Sequence, residues 1–308
     1  MKIRVLLAVD GSEAAERAVE LCASITWPDK TRLRVVTVTQ PFEPLVAADW
    51  SMPLSEADDP AEGEAMRSAQ AIVRDATGQL ARTGLDLDNC VLWGRPATRI
   101  VEAAEDFSAD MIVIGSRGHG TIASMVLGSV SAEVADHAHC PVLVARSTGL
   151  TRVVLGVDGS GFARTAENVV ESWPIFQKAA IEATAVAQVA LPWTAGLAIG
   201  FYEPPGAEME DIKQPIVAEM RGFADQATDR LKEAGLSASC HVVTGSPAAA
   251  LIRTAEEHRA DLIVVGTHGT TGLTRTIVGS VARNVMLHAK CSVLFVREFK
   301  DEARAAAA

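Results

Sequence analysis

The chain has 308 residues, 48% hydrophobic and 22% charged, which supplies two ordinary cores and excludes disorder of the whole chain. A formal net charge of −11 argues against DNA, RNA and anionic membrane as partners, since all three favour basic surfaces. Five cysteines, odd in number and without a CxxC pair, suit a reducing cytoplasm better than a disulfide framework, so a cytoplasmic protein is expected.

In chain order, strand and helix signals alternate. Val5–Val9 is a continuous apolar run of the kind buried in parallel sheets, and Ala14–Ser24 has helical spacing behind Ser12, a capping residue. Leu33–Val38 reads as a second strand ending at Pro41. The stretch from Pro41 to about Gly63 is rich in Pro, Asp and Glu and reads as a loop before a helix from Glu64 to about Arg82. Cys90–Trp93 is a short third strand, Ala97–Phe107 a helix, Met111–Ile114 a fourth strand, Ser129–His137 a helix and Val142–Ala145 a fifth strand. The most membrane-like window, Ala183–Phe201, contains Gln188 and Pro192 and reads as a buried strand followed by a loop. No secretory signal is expected either, because the apolar run before Asp10 is too short for one.

The second half repeats the first. Val5-Leu6-Leu7-Ala8-Val9-Asp10-Gly11-Ser12 returns as Val153-Val154-Leu155-Gly156-Val157-Asp158-Gly159-Ser160, and from Cys90/His241 to Arg146/Arg297 about two positions in five are identical. A period of about 150 residues is the length of a domain, so two tandem domains are expected, at 1–147 and 151–299, with 300–308 a disordered Ala-rich tail. Alternating strands and helices imply in each domain a doubly wound, five-stranded parallel sheet with helices on both faces. Ligands of such sheets sit beyond the carboxyl ends of the strands where the winding reverses. If strands one and four flank that point, the Asp10 and Gly115 loops meet there, as do those of Asp158 and Gly266.

One phrase carries most of the chemistry. Gly115, two residues, Gly118, nine residues and Gly128-Ser129 is repeated as Gly266, two residues, Gly269, nine residues and Gly279-Ser280. Each copy follows an apolar strand and opens a helix, which is how backbone amides and a helix N-terminus are presented to phosphate. Asp10 and Asp158 end their strands with a carboxylate able to accept from ribose hydroxyls. In the dinucleotide fingerprint the acidic residue ends strand two instead, so NAD is not expected. The glycines alone would also fit turns and helix–sheet packing.

With these motifs in order and duplicated, the chain resembles the universal stress proteins in their tandem, ATP-binding form over nearly its whole length. The resemblance implies a Rossmann-like fold with strand order 3-2-1-4-5, adenine nucleotide at the switch point, pairing through the fifth strands, and a role in stress survival through unidentified protein partners. It places Asp10 and Asp158 against adenosine and Val38 and Val189 beside adenine. The phosphates fall to Gly115, Gly118, Gly128 and Ser129, and to Gly266, Gly269, Gly279 and Ser280. Their neighbours Gly11, Ser116, Val130, Gly159, Thr267 and Val281 complete the candidate set. Arg117 offers a fixed cation where the second copy has His268, which predicts tighter triphosphate binding by the first site.

The ligand expected is ATP, with or without Mg²⁺. Neither GxxxxGK[ST] nor a G-x-S-x-G elbow occurs, and the glycine loops lack a lysine, so the chain reads as a nucleotide-binding switch and not an enzyme, at most a slow hydrolase. The alternatives are slow ATP hydrolysis or nucleotidyl transfer, and a nucleotide-independent scaffold or chaperone-like protein. A homodimer is expected because the short fifth strands need cover. His137, His139 and Cys140 form a weak metal candidate for which capping and packing are the simpler account.

Overall fold

The computed structural model describes residues 3–40, 60–118, 127–188, 206–267 and 279–297, with side chains described from 63 and 213 onward in the second and fourth of these segments. The chain forms two compact units, Met1–Ala145 and Arg146–Ala308. Arg146 and Ser147 belong with the second: both backbone amides donate to the Ser292 hydroxyl at 3.0 Å, and the Arg146 guanidinium donates to the Met286 carbonyl at 2.6 Å.

In the first unit the elements are β1 (Arg4–Ala8), α1 (Glu13–Ser24), β2 (Arg32–Thr39), α2 (Pro60–Leu80), β3 (Asp86–Trp93), α3 (Pro96–Asp106), β4 (Met111–Gly115), α4 (Ser129–His137) and β5 (Val142–Ala145). All the pairings are parallel, in the order β3-β2-β1-β4-β5. Strand β1 is central because it is apolar on both faces: Val5, Leu6 and Leu7 are fully buried. Helices α1 and α2 pack against each other on one face and α3 and α4 on the other.

Two elements differ from the sequence expectation. Strand β3 starts at Asp86 and not Cys90, since Arg32 meets Asp86 at 2.9 Å and Arg34 meets Asp88 at 2.5 Å across the β2–β3 pair. Those cross-strand ion pairs hold polar residues in a strand that hydrophobic pattern alone would end earlier. Helix α2 begins at Pro60, four residues before the expected start, with proline where a first helical turn tolerates it.

The second unit contains β6 (Arg152–Val157), α5 (Gly161–Ser172), β7 (Ala180–Ala187), α6 (Gly206–Glu233), β8 (Ser237–Thr244), α7 (Pro247–Glu257), β9 (Leu262–Gly266), α8 (Ser280–His288) and β10 (Ser292–Val296). Its strands are again parallel, ordered β8-β7-β6-β9-β10, so β6 occupies the place that β1 has in the first unit. Glu167 on α5, with 5% of its side chain exposed, lies 2.8 Å from Arg164 and 3.1 Å from Arg230, which also reaches Glu171 at 2.6 Å. Those contacts tie α5 to α6. Among the described residues, no helix is long and apolar enough to cross a membrane.

Candidate functional site

In each unit the winding reverses between the central strand and its neighbour across the chain crossover, β1 with β4 and β6 with β9. The loops leaving β1 and β4 therefore meet. Asp10 accepts the Ser12 amide at 3.0 Å through Oδ1, and Ser12 in turn caps α1 by accepting the Ala15 amide at 3.2 Å. The Ser12 hydroxyl also donates to the Arg117 carbonyl at 3.2 Å, tying the first loop to the glycine loop. Gly118 comes so close to Asp10 that a Cβ at this position would overlap its Oδ2. Gly11 adopts φ 78°, a left-handed backbone that favours glycine.

Helix α4 opens on the far side of the same loop. The Gly128 amide donates to the Ser116 carbonyl at 2.7 Å, and Ser131, which sequence reasoning had not singled out, donates to the Gly115 carbonyl at 2.7 Å. Gly128 is the N-cap and no side chain caps the first turn. Ser116 is buried, Ser129 and Arg117 are exposed, and Gly118, Val130, Val38 and Asp10 are half-buried. The 115–118 loop thus lies between an aspartate and the positive end of a helix dipole, a setting that accepts an anion and a hydroxyl-bearing group together.

Gly115 has a different role from Gly118. A Cβ there would lie 2.6 Å from the Ala14 carbonyl carbon and 2.8 Å from the Ala15 amide nitrogen, inside the first turn of α1. Gly266 repeats this against the Phe162 carbonyl, at 2.5 Å from its oxygen. Both glycines let a helix and a strand approach closely, which is the packing role open to them from sequence.

The second unit repeats the frame with changes. Asp158 accepts the Ser160 amide at 2.9 Å, Ser160 accepts the Ala163 amide at 3.1 Å, and the Gly279 amide donates to the Thr267 carbonyl at 2.5 Å. Gly279 is again an N-cap with no side-chain cap. Thr267 is buried, Ser280 exposed and Val281 half-buried. Gly159 has φ 74°, and the Phe223 ring of α6 packs on it so closely that a Cβ would lie 2.5 Å from the ring. Ala282 stands where Ser131 stands in the first unit, so the hydroxyl tie is missing. Val189, His268 and Gly269 lie outside the described residues.

The remaining sequence candidates fall into structural places. His137 Nδ1 lies 2.8 Å from the Glu133 carbonyl at the end of α4, His139 pairs with Glu105 at 2.5 Å, and Cys140 is buried. Burial pushes the Cys22 thiol up to about 12 and the Cys240 and Cys291 thiols up to about 11, so these three stay protonated near pH 7.

Comparison with known proteins gives the setting. Residues 1–146 and 149–297 each match the universal stress protein family. A universal stress protein of Mycobacterium tuberculosis is 28% identical over 95% of this chain and 96% of its own length. One from Thermus aquaticus is 34% identical over 46% of this chain but 97% of its own length, so one unit here corresponds to a whole relative. The crystal structure of a universal stress protein from Archaeoglobus fulgidus superposes with a TM-score of 0.65 at 19% identity, covering 96% of this chain and 98% of the other. The chain belongs to the universal stress protein family and carries two of its domains in tandem.

Proposed function

We propose that each unit binds an adenine nucleotide, foremost ATP with or without Mg²⁺, and that the chain is a stress-response regulatory protein that uses the bound nucleotide as a switch. The observation that carries this reading is the start of α4 and α8. Both open at a glycine without a side-chain cap, beside an aspartate-bearing loop, whereas α1 and α5 begin at serines that accept their first-turn amides. Phosphate oxygens suit the uncapped first turns and ribose hydroxyls suit Asp10 and Asp158. Arg117, exposed on the first loop, adds a cation for the terminal phosphates and supports tighter triphosphate binding in that unit.

The glycine loops contain no lysine and the chain has no GxxxxGK[ST] motif, which favours binding over turnover. A homodimer remains part of the proposal, and light scattering with and without ATP checks it.

The test is to purify the chain without added nucleotide, denature it, and identify and count what is released. Two adenine nucleotides per chain are expected, recovered as ATP. Added Mg-ATP at a hundred times its dissociation constant stabilises by about 2.7 kcal/mol. Gly118→Ala, whose methyl displaces the Asp10 carboxylate, is expected to lose the contribution of the first unit. No released nucleotide together with no thermal shift on Mg-ATP would overturn the reading in favour of a nucleotide-independent scaffold.

A further inference from the structure

Midway along β7 and β8 in the second unit, three side chains from three elements converge. Glu182 is the third residue of β7 and His241 lies on β8, paired in register with Thr184. Because Glu182 and Thr184 are two apart on one strand, Glu182 and His241 share a face of the sheet. Helix α7 packs on β7 and ends at His258, its C-cap residue. Their ligand atoms, one from each side chain, all lie within 4.8 Å of one another.

We infer that Glu182, His241 and His258 form a binding site for a divalent transition-metal ion of the zinc class, away from the nucleotide loops. Two imidazole nitrogens with one carboxylate oxygen are borderline donors that suit Zn²⁺ and its neighbours and do not suit Mg²⁺ or Ca²⁺. Around a tetrahedral ion with bonds near 2.0–2.1 Å, donor atoms stand about 3.3 Å apart, so the 3.8 Å between His241 Nδ1 and Glu182 Oε1 needs only a small contraction. Three protein ligands leave a fourth position for water or an outside donor. That position is reachable, because the His258 side chain is 41% exposed.

A plain acid–imidazole pair accounts for only part of this arrangement. His258 Nδ1 meets Glu182 Oε2, but Oε1 is buried without a hydrogen-bond partner and faces the second imidazole beyond hydrogen-bond distance. A buried acceptor left unpaired is costly, and an ion between Oε1 and the two rings would satisfy it. The two rings stand edge to face with centroids 5.3 Å apart.

The first unit shows what the same station holds when no such site is built. By strand register and alignment, Arg34, Cys90 and Phe107 occupy the places of Glu182, His241 and His258. There Arg34 lies 4.4 Å over the Phe107 ring and pairs with Asp88, a closed cation–π and ion-pair packing. All three positions have changed together in the second copy, from a set that cannot hold a metal to one that can. Among the described residues this is the one place where three such ligand atoms converge.

The experiment uses the full chain without an affinity tag, freed of metal by a chelator. Titration with Zn²⁺ alone by calorimetry, and with Co²⁺ alone by visible absorption, is expected to show one ion bound per chain at micromolar protein. His258→Phe, which installs the first unit's residue, and Glu182→Gln should each weaken binding by more than the roughly 10–100-fold that loss of an outer-shell partner costs. In the unmutated chain, Zn²⁺ should protect His241 and His258 from diethyl pyrocarbonate while His137 and His139 remain reactive, a readout that does not depend on how the variants fold. Absence of binding at micromolar protein, wild-type affinity in both variants, or no selective protection would each overturn the assignment.

Discussion

Gly115→Ala should destabilise the first unit whether or not any ligand is present. The new methyl carbon would meet the Ala14 carbonyl carbon at 2.6 Å, its oxygen at 2.7 Å and the Ala15 amide nitrogen at 2.8 Å, all backbone atoms. To restore ordinary contact the first turn of α1 must retreat by about 0.8 Å. It has little freedom to do so: Ser12 holds the Ala15 amide, Asp10 holds the Ser12 amide, and Ala14, Ala15, Ala18, Val19, Leu21 and Cys22 are packed in the core. Overpacking against backbone places the cost near the top of its usual range, about 2–3 kcal/mol. In a unit of this size that lowers the melting temperature by about 5–10 °C. Urea denaturation followed by circular dichroism measures the loss, and hydrogen exchange should locate it in α1 and β4. Gly78→Ala is the control, a glycine in the last turn of α2 whose added Cβ has nothing within 4 Å, and it should be neutral or stabilise by about 0.5 kcal/mol. A Gly115→Ala variant within about 0.5 kcal/mol of the parent would refute the packing argument.

Two further perturbations test the second unit. Arg230→Met removes the cation shared by Glu167, Glu171 and Asn168, leaving Glu167 with Arg164 alone, and should cost about 2 kcal/mol near neutral pH. Burial pushes the Glu167 carboxyl up against the pull of Arg164 and Arg230, so the folded state holds that proton more tightly than the unfolded chain and stability is regained as pH falls through the raised value. The deficit measured by denaturation should therefore shrink in acid, and a pH-independent deficit would contradict the assignment. At Asp261 burial opposes ionisation, but the Thr151 hydroxyl at 2.5 Å and the Thr151 and Arg152 amides at 2.9 and 3.0 Å hold the carboxyl below its usual range. Its stabilisation is present above the ordinary carboxylate pKa and lost as pH falls through the depressed folded value. Asp261→Asn should cost of the order of 1 kcal/mol at pH 7, limited by solvent screening, and nothing once the parent carboxylate is protonated. Equal penalties across the acid range would count against it.

The parallel α/β frame was legible because its determinants are local and periodic. Val5–Val9 and Met111–Ile114 are unbroken apolar runs, and Ser12 and Ser160 mark the helix starts that they cap. The front half of β3 was not, because Asp86, Asp88 and Asn89 resemble a loop until Arg32 and Arg34 are brought beside two of them from another strand. The glycine phrase showed where the candidate site is but not what each glycine does. Gly115 and Gly118 are equivalent in a pattern, yet one faces helix backbone and the other a carboxylate. The Glu182–His241–His258 group left no trace as a motif, since its members come from two strands and a helix end that only the sheet register brings together.

The Phe223 ring on Gly159 makes the two halves of the repeat mechanically unlike. In the second unit the Asp158 loop bears on α6 through that ring, and α6 is clasped to α5 by Arg230, while α5 begins at the Ser160 that ends the same loop. Loop, long helix and short helix form a closed circuit, so displacing the loop must rotate or slide α6 and load the Arg230 contacts. Ile72 stands at the corresponding place in the first unit, without the reach of an aromatic ring. A ligand seated at the Asp158 loop would thus be felt in α6 from Phe223 to Arg230, which turns a local displacement into a change of the surface that this part of the helix presents.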